Sequence, residues 1–185
     1  PLMHAALNGH TDVTKLLIKS GASIDVVNSN GETALIIAAA NGHSATIQAL
    51  IQEGAMIEAK NKEGHTALAV AAEKGHTDTV KLLIQSGANI QTQNDNGCTP
   101  LHLSSLNRKT EVVKLLIQAG ADIEAKLKTN NFTPLHFAAC NPNNASTAKL
   151  LLQAGANIEA TSKTGTTPLM QAARYGRADM VEFFI

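Results

Sequence analysis

Gly64-His65-Thr66-Ala67-Leu68-Ala69-Val70-Ala71-Ala72-Glu73-Lys74-Gly75-His76-Thr77-Asp78-Thr79-Val80-Lys81-Leu82-Leu83-Ile84-Gln85-Ser86-Gly87-Ala88 reads as turn, helix, turn, helix, turn. Thr66 is placed as an N-cap, because its hydroxyl can accept from a first-turn amide that has no helical partner. Gly75 follows a short apolar run and predicts a left-handed C-cap. Thr77 or Asp78 then opens a second helix whose Val80, Leu83 and Ile84 share one face, and Gly87 closes it.

The same pattern recurs along the chain. A Gly-Ala pair stands at Gly21, Gly54, Gly87, Gly120 and Gly155, in steps of 33, 33, 33 and 35 residues. Thr followed by Ala or Pro and then Leu stands at Thr33, Thr66, Thr99, Thr133 and Thr167, in steps of 33, 33, 34 and 34. Small-residue pairs such as Ala38-Ala39, Ala71-Ala72 and Ser104-Ser105 keep a third register. Three markers at one spacing define an internal repeat. Pro100, Pro134 and Pro168 follow their Thr at the first helical position, where a missing N–H costs nothing. Polar stretches such as Asn94-Asp95-Asn96-Gly97 predict tight turns, hence hairpin-like fingers between helix pairs.

Helices of eight to ten residues are marginal alone, so these must stack on their neighbours. The predicted fold is an all-α repeat solenoid, with small pairs letting first helices approach and Leu and Ile of second helices filling the seams. That core explains 3% aromatic residues and no Trp beside 44% hydrophobic ones.

Thr99-Pro100-Leu101-His102-Leu103, Gly42-His43, Leu115-Leu116-Ile117 and Gly120-Ala121-Asp122 at this period resemble the ankyrin repeat across essentially the whole 185-residue chain. The resemblance implies stacked helix pairs with fingers projecting at right angles. It also implies binding of protein partners along a concave groove of fingertips and first helices. Six units are expected, at 1–27, 28–60, 61–93, 94–126, 127–161 and 162–185, in one domain. The outer two are incomplete, which suggests a fragment of a longer protein or self-association through uncapped ends. The resemblance assigns His102 and His136 a bond back to the Thr hydroxyl, and the His residues after Gly, at 10, 43 and 76, also read as architectural. The asparagine that oxygen-dependent hydroxylases modify in many ankyrin proteins is here Asp25, Glu58, Gln91, Glu124 and Glu159, so that role is not carried over.

Composition narrows the function. Fifteen basic against fifteen acidic side chains give no net charge, which offers nucleic acid little electrostatic support. Apolar runs such as Ala34–Ala40 fall short of the roughly 18 to 20 residues of a membrane span. Two cysteines, Cys98 and Cys140, fit a reducing, intracellular setting, expected to be the cytoplasm, rather than a disulfide framework. No phosphate loop or hydrolase motif is present, Leu103 stands where a calcium loop needs an acid, and Cys98 with His102 is too few ligands for zinc. Cys98 as a nucleophile has only His65 as a conceivable base. The sequons at Asn131 and Asn144 matter only in a secretory compartment. No enzyme, cofactor, metal or small-molecule substrate is expected.

Partner contacts are expected where architecture does not dictate identity. One row precedes each Thr: Glu32, His65, Cys98, Phe132 and Thr166. A second ends the first helices and includes Glu73, Lys74, Leu106, Asn107, Arg174 and Tyr175. Such rows read equally as tolerant solvated loops. Arg108-Lys109 in place of Gly-His, Ser104-Ser105, and two inserted residues lie close together without visible structural gain, a pattern that points to function. Phe132 is expected at a fingertip as an anchor, with Arg108, Lys109, Lys126, Lys128 and Lys163 favouring an acidic partner segment. The function so predicted is a protein-recognition module. The competing readings are a spacer in a long array and the targeting arm of an enzyme or channel outside these residues.

Overall fold

The computed structural model describes residues 1–185 as twelve helices and no strand. Residues 1–92 form one compact unit and residues 93–185 a second.

The first unit holds three helix pairs: α1 (Leu2–Leu7) with α2 (Thr11–Lys19), α3 (Ala34–Ala40) with α4 (Ser44–Gln52), and α5 (Ala67–Lys74) with α6 (Thr77–Gln85). First helices pack on first helices and second on second. The pairs Ala5-Ala6, Ala38-Ala39 and Ala71-Ala72 are buried, so the close approach rests on side chains of one carbon. Ile47, Leu50, Val80 and Leu83 fill the seam of second helices, each such burial being worth about 1.5 to 3 kcal/mol. Ile84, expected on the same face, lies at its half-buried edge. Thr33 and Thr66 cap α3 and α5 by accepting from the amides of Ile36 and Ala69, both at 3.3 Å. Gly75 has the expected left-handed conformation, with φ 85°.

Two devices in this unit tie each repeat to the next. His43 donates from Nε2 to the Leu7 carbonyl and His76 to the Ala40 carbonyl, both at 2.9 Å. Each ring lies so close to the preceding turn that a Cβ on Gly9 would meet His43 at 2.7 Å, and one on Gly42 would meet His76 at 2.8 Å. These glycines are needed both for φ near +70° and for room. Hydroxyl pairs join the second helices, Thr11 to Thr46 at 2.9 Å and Ser44 to Thr79 at 3.0 Å. Adjacent fingers share a backbone bond, Lys62 N–H to the Asn30 carbonyl at 2.9 Å. Asp25 and Glu58 accept from the amides of Met56 and Asn89 in the following repeats.

The second unit repeats the plan with α7 (Pro100–Leu106) and α8 (Thr110–Gln118), α9 (Pro134–Ala139) and α10 (Ala145–Gln153), and α11 (Pro168–Arg174) and α12 (Ala178–Phe184). Fingers are again joined by single backbone bonds, Lys128 N–H to Asn96 and Lys163 N–H to Asn130, both at 2.9 Å. Thr167 caps α11 as Thr33 and Thr66 cap theirs, accepting from the Met170 amide at 3.3 Å, but the other two first-helix caps of this unit differ. Thr99 and Thr133 form capping boxes with His102 and His136, whose Nδ1 atoms face the Thr hydroxyls at 2.8 and 2.9 Å. Each Nδ1 also accepts the Thr backbone N–H, which leaves the proton on Nε2. From there His102 donates to the Phe132 carbonyl at 3.1 Å and His136 to the Thr166 carbonyl at 3.0 Å.

The irregular stretch around Arg108 and Asn144 has the structural gain that the sequence reading missed. Where the first unit uses histidine, Asn144 donates to the Ser105 and Ala138 carbonyls, Asn141 to Leu106, and Arg177 Nε to Cys140 at 2.8 Å. Arg108 and Asn143 take the left-handed turn conformation at φ 56°, and Arg108 reaches the Pro142 carbonyl at 3.4 Å. The longer finger absorbs its extra residue at Asn131, φ 62°, while Leu127 N–H still closes on Phe132 at 3.0 Å.

Candidate functional site

Within residues 93–185, a cavity of about 430 Å³ opens between the fingers and the first helices. The finger contributes Asn130 and Phe132, the helices contribute Leu106, Phe137 and Gln171, and Cys140 comes from the C-cap of α9. Asn141, Tyr175 and Arg177 come from the turns that follow the helices. All five aromatic residues of the chain lie beyond residue 131, and three of them line this one cavity.

Phe132 is not the free fingertip side chain expected from the sequence. It is half-buried and stacks on the His136 ring, with centroids 4.8 Å apart and planes 12° from parallel. Phe137 meets it edge-on at 6.4 Å. The Phe132 carbonyl is engaged by His102, so its backbone is held as firmly as its ring. Tyr175 stays exposed, and the Arg177 guanidinium carbon sits 6.0 Å from its ring centroid. At the floor, the Cys140 thiol donates to the His136 carbonyl at 3.2 Å, and Gln171 Nε2 leans on its sulfur at 3.5 Å. Gln171 Oε1 is buried without a hydrogen-bond partner, a cost of about 1 to 3 kcal/mol that packing alone does not explain.

The electrostatics of the cavity are one-sided. No Asp or Glu lines it, and Arg174 and Arg177 form no ion pair. Burial pushes the Cys140 thiol up from its ordinary range, opposed by the Gln171 side chain and the charges of Arg177 and Arg174. The thiol is therefore neutral and makes a poor nucleophile. Burial lowers the His102 pKa to about 4 and lowers that of His136 as well. Both rings spend both nitrogens on structure, which also removes His102 as a metal partner for Cys98. No group of three or more His, Cys, Asp or Glu side chains is placed to hold a metal ion.

The family model for ankyrin repeats (3 copies) matches residues 2–94, 56–127, 86–162 and 125–185. The chain belongs to the ankyrin repeat family. No curated protein matches it. No helix of this ankyrin chain is long and apolar enough to cross a membrane.

The ankyrin framework distributes the expected contact residues unevenly. Leu106, Phe132 and Tyr175 meet at the cavity, and Arg174 stands exposed near it. Cys98 is buried, so it offers a partner no surface. Asn107 turns back to the Leu103 carbonyl at 2.9 Å, repeating what Asn8 and Asn41 do at their helix ends. Lys128 reaches across to the Asp95 carbonyl at 3.3 Å, and Thr166 Oγ1 pairs with Thr164. Arg108 and Lys109 lie at the helix turn, outside the cavity lining.

In the first unit, Glu32 accepts from Asn28, His65 pairs with Glu63 at 3.4 Å, and Glu73 pairs with Lys74 at 3.6 Å. Glu32 lines a smaller cavity, of about 320 Å³, together with Met3, His4, Leu7, Ile37 and Asn41 among others. Sequence reasoning missed Phe137, Gln171 and Arg177. The available signal was register: Gln171 stands where Ile37, Val70 and Leu103 stand, and Arg177 where His43 and His76 stand.

Proposed function

We propose that residues 93–185 form the recognition face of a non-catalytic protein-binding module, which captures an extended partner segment along its fingers and first helices. Ankyrin repeats are generally protein–protein interaction modules, and this chain's own residues supply the place. The observation that carries the reading is the gathering of Phe132, Phe137 and Tyr175 around one open cavity, in a chain otherwise almost devoid of aromatic side chains. Rigid aromatic rings give large contact area at small entropic cost and are typical anchors of interfaces. Stacking on His136 holds the Phe132 ring in place before a partner arrives, which lowers the ordering cost of binding. The two free cysteines fit a reducing compartment, and the reading places the module inside the cell.

The test is selection of a random-peptide display library on the immobilised chain, followed by affinity measurement of the enriched peptides against wild type and Tyr175→Ala. Tyr175 is about half exposed, so its truncation opens no hole in the core and the variant is expected to keep its helical melt. A loss of about tenfold or more, equal to roughly 1.4 kcal/mol, is expected. Affinity unchanged by Tyr175→Ala sinks the assignment and favours the spacer reading, in which no groove side chain matters.

A further inference from the structure

Building on the recognition reading, we infer that the segment seated in this cavity is acidic, placing an apolar side chain against Phe132 and Tyr175 and a carboxylate, within two residues of it, on Arg177 and Arg174.

Three observations support this chemistry. Arg177 is anchored through Nε to the Cys140 carbonyl beside the Tyr175 ring, and its two terminal nitrogens make no hydrogen bond, so a fixed guanidinium at the cavity lining keeps both of them unspent. Such a fork matches a carboxylate with two parallel N–H···O bonds. Arg174 is exposed with no bonded partner, and both guanidinia act on the Cys140 thiol, which lowers that thiol's pKa against the dominant effect of burial. Their field thus reaches the cavity floor. The acid nearest this turn, Asp179, is committed to the Asn143 amide at 2.6 Å and does not line the cavity.

The spacing follows from chain geometry. The Tyr175 ring and the Arg177 guanidinium are 6.0 Å apart, and an extended peptide advances about 3.3 Å per residue, so the two groups match side chains one or two positions apart. Residues 93–185 carry nine basic and seven acidic side chains, against six and eight in residues 1–92, so the wider field of this unit draws the same class of partner.

The peptides enriched on the full chain should carry Asp or Glu within two residues of a Phe, Leu, Ile, Met or Trp. Their affinity should fall as NaCl is raised, and by about tenfold on Arg174→Glu at low salt. Replacing the peptide's acid by Lys should restore binding to Arg174→Glu while weakening binding to wild type, a reversal that mere misfolding would not produce. Peptides without acidic bias, or affinities indifferent to Arg174→Glu and to Arg177→Lys, overturn the acidic-segment inference. If those same peptides still lose affinity on Tyr175→Ala, the recognition reading stands. If they do not, both fall.

Discussion

Residues 1–92 and 93–185 build the same three helix pairs with different chemistry at their joints. In the first unit the ring of His43 or His76 presses on a glycine and donates to the carbonyl at the end of the preceding first helix. In the second, Asn141, Asn144 and Arg177 deliver that donation. At the finger side the asymmetry reverses: Thr33 and Thr66 cap unaided, whereas Thr99 and Thr133 share their work with a buried histidine that grips the next finger. The carbonyl at a helix end requires a donor, and it does not require a particular side chain. Without the Gly-His packing, the second unit carries a longer finger and unpaired positive charge, and its cavity is about 430 Å³ against about 320 Å³ at the corresponding place in the first.

The sharpest way to separate the two joints is acid. His102 has a folded pKa of about 4 against 6.5 in the open chain, so above 6.5 neither state holds the proton and stability is complete. As pH falls from 6.5 to 4 the unfolded chain binds a proton that the folded one refuses, and roughly 3 kcal/mol is lost. His136 shifts in the same direction. Tyr175, the chain's one tyrosine, reports on the second unit. A melt followed by its fluorescence should drop steeply over that window, and His102→Gln should flatten the drop. A flat profile in the unaltered chain would mean that these rings are more solvated than their geometry shows.

A pair of substitutions at equivalent turns probes the other side of the comparison. Gly42→Ala puts a Cβ 2.8 Å from His76 at φ +72° and should cost about 2 to 3 kcal/mol in a denaturant titration. Arg108→Gly, at φ 56° with no histidine above it, should change stability by about 1 kcal/mol or less, because relief of strain and a looser unfolded chain offset each other. Equal losses at both positions would show that the turns are alike after all.

The smallest expected effect is at Ser105, whose buried hydroxyl has no partner. Ser105→Ala, which returns the small pair to its usual residue, should be neutral or stabilising by up to about 1 kcal/mol in the same titration.

The fold was readable because its determinants are local and recur: Thr caps, Gly turns and Ala pairs stand at one spacing, and each has a single physical job. The site was readable only in part. Phe132 and Tyr175 could be suspected as scarce aromatics, but the stacking of Phe132 on His136 depends on how the inserted residue is absorbed at Asn131, which spacing does not reveal. Arg177 and Gln171 were passed over because each occupies a position that other repeats fill with a structural side chain. Arg108 and Lys109 drew suspicion as departures from Gly-His, yet their neighbourhood is explained by the carbonyls that Asn141 and Asn144 satisfy.

The finger at residues 127–132 closes at its base by the bond from Leu127 to Phe132, with the added residue confined to the tip beyond it. A loop built this way can lengthen without altering the stack beneath. The chain can thus diversify by length as well as by side chain, and new reach can be acquired in single-residue steps while every helix keeps its neighbours.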